Sequence, residues 1–90
     1  MKQEDFVNGV RVRVNSKAQY DRQIGLTGTA RWPNPGESYH SNQLREVENG
    51  TRKASDIVAL VKMDDGDILE LYIYKLDVIE GPSVQLELFG

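Results

Sequence analysis

Val10, Val12 and Val14 alternate with Arg11, Arg13 and Asn15. This period of two puts the valines on one face of a strand and the arginines on the wet face. A first strand is therefore predicted over residues 10–14. The polar run Ser16 to Arg22 separates it from Gln23 to Trp32, which reads as a second strand whose Gly25 and Gly28 imply a bulge or a tight bend. Pro33-Asn34-Pro35-Gly36 ends that strand, because proline removes a ladder donor and Pro-Gly favours a turn. From Glu37 to Lys53 only Tyr39, Leu44 and Val47 are available for burial. A long loop is therefore expected over 33–53, with a short helical turn around Gln43–Val47; connections of that length often carry function. Asp56 to Met63 (DIVALVKM) and Ile68 to Tyr74 (ILELYIY) flank Asp64-Asp65-Gly66-Asp67, the signature of a β-hairpin. Lys75 to Glu80 then reads as a short turn and a last strand before Gly81-Pro82 breaks the chain.

Short strands, a central hairpin and no long helix-periodic segment predict an all-β domain over 1–81: a small antiparallel barrel or curled sheet of about five strands, with 82–90 as a separate tail. Ninety residues are enough for one core and no more. Val10-Arg11-Val12-Arg13-Val14 followed by Ile24-Gly25-Leu26-Thr27-Gly28-Thr29-Ala30 resembles the opening of Src-homology-3-like small barrels of the KOW type, in which a valine-rich strand leads through a G-x-x-G turn into the second strand. The hairpin at Asp65-Gly66-Asp67 and the closing Tyr74-Lys75-Leu76-Asp77-Val78-Ile79 are similar to the way those barrels end. The resemblance spans residues 6–80, and the long loop at 33–53 departs from it. It implies a Src-homology-3-like barrel, a scaffold that serves many unrelated roles.

Composition narrows the chemistry. The chain has no cysteine and one histidine, which excludes disulfides, zinc-thiolate sites, thiol nucleophiles and a histidine metal cage. Asp64, Asp65 and Asp67 beside Gly66 supply half of a calcium loop, but strands flank them where an EF-hand has helices. His40 in its polar loop reads as a solvated side chain. Gly25 and Gly28 are too closely spaced for a dinucleotide fingerprint and no helix follows them. These readings point to a protein without enzymatic activity, cofactor or metal. The opening MKQEDFVNGV lacks the apolar centre of a signal peptide, and no stretch approaches the roughly 18 apolar residues of a spanning helix. A cytoplasmic location off the membrane is expected, where Asn49-Gly50-Thr51 is a turn and not a glycosylation site.

The net charge of −3 conceals a gradient. Residues 1–31 hold six basic side chains (Lys2, Arg11, Arg13, Lys17, Arg22, Arg31) against three acidic ones. Residues 61–90 hold two basic against seven acidic. This is not the strongly basic footprint of a dedicated nucleic-acid binder. Even so, Arg11, Arg13, Arg22 and Arg31 lie close in sequence to Tyr20, Trp32 and Tyr39, and arginines with aromatics are how small barrels hold single strands. Nucleic-acid contact through those four arginines is one reading, and burial of Trp32 as core packing is its counterpart.

The chain ends in Pro82-Ser83-Val84-Gln85-Leu86-Glu87-Leu88-Phe89-Gly90. Gln85-Leu86-Glu87-Leu88-Phe89 is similar to the Q-L-[S/D]-L-F peptides by which bacterial replication and repair proteins dock onto the DNA polymerase sliding clamp. Glu87 stands at the Ser/Asp position. The four defining positions coincide by chance in about one chain in a thousand of this length. The resemblance implies that Gln85 enters a small subsite through its amide and that Leu88 and Phe89 fill the main cleft, with Leu86 as a secondary contact. The expected protein is a bacterial or phage-type adaptor or modulator of the clamp. Two other readings use the same residues differently. The alternation of Val84, Leu86 and Leu88 suits a structural edge strand on a nucleic-acid-binding barrel, and the 33–53 loop suits a small interaction or inhibitor protein.

Overall fold

The valines of the first strand face inward as their spacing predicts. The computed structural model describes residues 1–81. In it Val10–Val14 (β1) buries Val10, Val12 and Val14 and leaves Arg13 exposed. Four further strands follow: Thr27–Arg31 (β2), Val58–Met63 (β3), Ile68–Tyr72 (β4) and Leu76–Glu80 (β5). All pairings are antiparallel, in the order β4-β3-β2-β1-β5. The protein is therefore all-β, one five-stranded sheet, with a strand order compatible with a Src-homology-3-like barrel. A 3₁₀ turn at Ile73–Lys75 joins β4 to β5. Among the described residues no helix is long and apolar enough to cross a membrane.

The second strand is shorter than its sequence suggests. Residues 21–23 form a 3₁₀ turn, and Gly25 takes φ +88°, a left-handed conformation that glycine adopts without steric penalty. The turn is sewn to β1 by hydrogen bonds from Gly25 N–H to the Val14 carbonyl and from Val14 N–H to the Leu26 carbonyl, both 2.8 Å. Gly28 lies inside β2 for a different reason. A Cβ there would stand 2.6 Å from the Lys62 carbonyl oxygen, 2.8 Å from Val61 Cγ1 and 3.0 Å from Met63 Cα.

The core on the inner face joins Phe6, Val10, Val12, Val14, Ala30, Ile57, Ala59, Val61, Met63, Leu71, Ile73 and Leu76. Ile57, Ile73 and Leu76 are at most 1% exposed, and each contributes about 1.5–3 kcal/mol of burial. Strand β3 also buries Val58 and Leu60, which alternation places on the opposite face. Its continuous apolar run thus reflects a strand covered on both sides. The 33–53 loop of the sequence reading carries one helix, Gln43–Glu48 (α1), followed by a 3₁₀ turn at Ala54–Asp56. Helix α1 ends at Gly50, φ +78°, whose N–H donates to the Val47 carbonyl while Thr51 N–H reaches the Glu46 carbonyl.

Replacing Gly28 tests the close approach of β2 to β3. Gly28→Ala is expected to lower stability by about 1–3 kcal/mol, because the added methyl meets main chain that cannot rotate away. Thermal or urea unfolding measures this, and an unchanged midpoint would contradict the packing described.

Candidate functional site

Two regions hold the charged and aromatic side chains from which a site can be built. The first is the outer face of β1 and β2, where alternation and register place Arg11, Arg13 and Arg31 beside Thr27 and Thr29. Arg11 grips Asp64 at the start of the hairpin turn with both guanidinium nitrogens, Nη1 to Oδ1 at 2.8 Å and Nη2 to Oδ2 at 2.9 Å. Its Nη1 also donates to Thr29 Oγ1 at 3.1 Å, and the Thr27 hydroxyl donates to Asp64. Arg31 grips Glu37 the same way, with Nη1 to Oε1 at 2.6 Å, and Asn34 N–H adds a bond of 2.8 Å to that carboxylate. Arg13 stands opposite Asp77 of β5 in register and makes no ion pair among the described residues. Arg22 lies apart in the 21–23 turn, its guanidinium 5.1 Å from the ring centre of Tyr20.

These contacts decide what the arginines have left to offer. Arg11 and Arg31 spend their planar forks on carboxylates of their own chain. Both carboxylates are depressed accordingly. Hydrogen bonds from Arg31 and then from Asn34 lower Glu37 to about 2. Arg11, followed by Thr27, holds Asp64 well below the usual carboxylate range. Trp32 packs against Phe6, ring centres 4.1 Å apart at 22°, and its Nε1 donates to the Phe6 carbonyl at 3.1 Å. It is a packing residue, whereas Tyr20 is exposed and Tyr39 is fully so. The candidate clamp contacts Gln85, Leu86, Leu88 and Phe89 lie outside the described residues.

The second region is formed by the connection from β2 to β3. Strand β2 stops at Arg31, paired with Leu60, and Pro33 falls where a partner for Val58 belongs. Proline has no N–H to give to the Val58 carbonyl. The Gln43 side chain replaces it: its Nε2 donates to the Val58 carbonyl and its Oε1 accepts from Val58 N–H, both at 2.7 Å. Gln43 is 1% exposed. Its carboxamide, one donor and one acceptor, copies a peptide group and extends the ladder by one step.

Pinned there, the connection encloses a cleft of about 670 Å³ between α1 and the end of β4, bordered by His40, Glu46, Arg52, Asp56, Tyr72 and Tyr74 among others. Arg52 is its hub. Nη1 donates to the Asp56 carbonyl at 3.0 Å, and Nη2 donates to Glu46 Oε1 at 3.2 Å and lies 3.3 Å from His40 Nδ1. The far nitrogen of His40 is 4.0 Å from Glu70. His40 is thus held in a charged chain and not simply solvated as its polar surroundings in sequence suggest. Among the described residues no three His, Cys, Asp or Glu side chains converge as metal ligands. The cleft joins residues from 40 to 74, a separation that no local spacing announces; the one local cue is the Asn49-Gly50 helix stop.

The chain matches no protein-family model, and comparison with curated proteins and with solved structures finds no match either.

Gln43→Ala leaves both Val58 groups unpaired, at about 1–3 kcal/mol for each buried group. Gln43→Glu puts a carboxylate against a carbonyl, raising the folded pKa of the new acid. Its stability is then present below about pH 4.3 and lost as pH rises through that raised value. Denaturant melts across pH read both. For Glu37 the sign is opposite, since its folded pKa is depressed. The ion pair stabilises above the ordinary value of 4.5 and fades as pH falls toward about 2. NMR titration should place the Glu37 midpoint near 2 in the native chain and move it up toward, but not fully to, the ordinary 4.5 in Arg31→Gln, where Asn34 N–H still donates to the carboxylate. An unshifted midpoint in Arg31→Gln would remove the pair as its cause.

Proposed function

We propose that the protein is a non-catalytic adaptor or modulator that binds the bacterial DNA polymerase sliding clamp through Gln85-Leu86-Glu87-Leu88-Phe89. The observation that carries this reading is the coincidence of Gln85, Leu86, Leu88 and Phe89 with the four defining positions of the clamp-binding peptides. The fold supports it indirectly. The five strands of the sheet lie between residues 10 and 80, and β5 takes the place beside β1. A strand from 82–90 is not required to supply the fifth place in that order. Gly81-Pro82 also separates the peptide from β5, and an extended peptide presented beyond a domain is a recurrent recognition mode.

In this reading Leu88 and Phe89 are the apolar anchors, each contributing about 1.5–3 kcal/mol when buried in a cleft. Gln85 orients the peptide through its amide. Ordering a short segment opposes those gains, so one peptide binds in the micromolar range or weaker. The barrel then either brings a second partner to the clamp or, with its tail, competes with polymerases for the same cleft. The alternative of a nucleic-acid module built on Arg11, Arg13, Arg22 and Arg31 has less support, because Arg11 and Arg31 are already engaged by Asp64 and Glu37.

Surface plasmon resonance of the full-length protein over an immobilised bacterial sliding clamp tests the proposal. A dissociation constant in the micromolar range is expected, weakened at least about tenfold by Gln85→Ala and further by Leu88→Ala with Phe89→Ala. Absence of binding, or binding indifferent to these changes, defeats it.

A further inference from the structure

The sheet has two edges, β4 and β5. At β5 the Leu76 carbonyl accepts a hydrogen bond from the Met1 amino group, which also donates to Ile73. At β4 the ladder itself determines what is left open. Ile73 N–H donates to the Ile57 carbonyl at 2.9 Å and Met63 N–H to the Asp67 carbonyl at 2.7 Å. The register between them runs unbroken from Val58 opposite Tyr72 to Lys62 opposite Ile68. Bonded and non-bonded positions alternate in an antiparallel pair. Leu69 and Leu71 therefore turn their N–H and C=O groups toward β3, while Ile68, Glu70 and Tyr72 turn theirs away from the sheet. Among the described residues the outward groups of Ile68 and Glu70 and the N–H of Tyr72 have no backbone partner outside the sheet, while the Tyr72 carbonyl caps the 3₁₀ turn at 73–75.

The edge is also accessible. Ile68 is 62% exposed, and Glu70 and Tyr72 are exposed beside it. Tyr72 borders both the 670 Å³ cleft and a groove of about 210 Å³ that runs along Leu69, Glu70 and Leu71 against Gln19, Tyr20 and Gln23. An open edge is a hazard that proteins normally blunt with short strands, charges, prolines, bulges or covering loops, and β4 carries one such charge, Glu70. Here the strand pairs regularly with β3 and contains no proline.

We propose that the β4 edge is a docking site for an extended peptide segment of another protein, which adds to the sheet as a sixth strand. Its side chains opposite Ile68, Glu70 and Tyr72 fall on the face that carries the Glu70 carboxylate. The neighbouring turn adds the exposed acids Asp65 and Asp67. A lysine or arginine opposite Glu70 complements that charge, although His40 already stands 4.0 Å from it. The alternate side chains turn toward the groove lined by Leu69, Leu71 and Tyr20, which suits aliphatic residues. The occupant is thus an extended segment alternating basic and aliphatic residues, recognised mainly through its backbone. This inference rests on the β4 ladder and is independent of clamp binding by residues 85–89.

The probe is a capped eight-residue peptide alternating valine and lysine, titrated into the isotope-labelled full-length protein and followed by amide shifts. Shifts confined to residues 67–73 and 19–23 are expected, and N-methylation of alternate peptide bonds in the probe should abolish them. Tyr72 has φ −62°, which proline adopts without strain, and its N–H points away from β3, so Tyr72→Pro blocks the edge while leaving the ladder and all charges in place. Binding should weaken at least about fivefold more in Tyr72→Pro than in Tyr72→Ala, and Glu70→Lys should weaken it as well. Should Tyr72→Pro lose the amide protection of β3 and β4, the N-methylated probe decides alone. Absence of shifts, shifts elsewhere, equal binding of the N-methylated probe, or equal affinity of the Pro and Ala variants overturns the proposal. So does a concentration-dependent rise in mass abolished by Tyr72→Pro, which identifies a second copy of this chain as the occupant.

Discussion

Where Pro33 stops β2, the main chain of Val58 loses its neighbour, and the Gln43 carboxamide takes the vacant place with two hydrogen bonds of 2.7 Å. Among the described residues Gln43 is the one fully buried polar side chain, and it is fully used. Everything between β2 and β3 is positioned from this point. The helix that carries Gln43 brings Glu46 to Arg52, and Arg52 in turn holds the Asp56 carbonyl and His40. The cleft beside Tyr72 and Tyr74 is the space this arrangement leaves. A connection with so few apolar residues could not be held by burial alone.

The outer face of the sheet is organised by charge in a comparable way. Asp64 sits where β3 enters its turn, yet it is bonded to Arg11 of β1 and Thr27 of β2. One carboxylate therefore spans three neighbouring strands and helps fix their relative register on the outer face at the hairpin end, away from the buried Val58 and Leu60. The pair is exposed and screened by salt, so its contribution is to geometry more than to stability.

Much of the fold was legible in the sequence because it depends on local periodicity. Val10–Val14 alternates with a period of two, and the apolar runs on either side of Asp65-Gly66 carry a hairpin-turn signature; both are observed as strands at those places. The second strand begins at Thr27 and not at Gln23, because the bulge or tight bend expected from the glycines is, at Gly25, a turn with positive φ ahead of the strand. The roles of Gln43, His40 and Arg52 could not be read, since each depends on a partner in another element: Val58 for Gln43, Glu70 for His40, Asp56 for Arg52. The same holds for the engagement of Arg11, whose partner is 53 residues away. Only the resemblance carried by Gln85–Phe89 was visible without any fold, because a linear peptide motif is complete within its own sequence.

The Gln43 clip addresses main chain and ignores side chain. Any residue that keeps position 58 extended and fits its buried place can receive it, and a segment that returns one glutamine to that spot can be seated there. The β2–β3 connection is in this sense a socketed module: its contents are open to replacement by drift or by engineering, while the sheet underneath sees the same two hydrogen bonds.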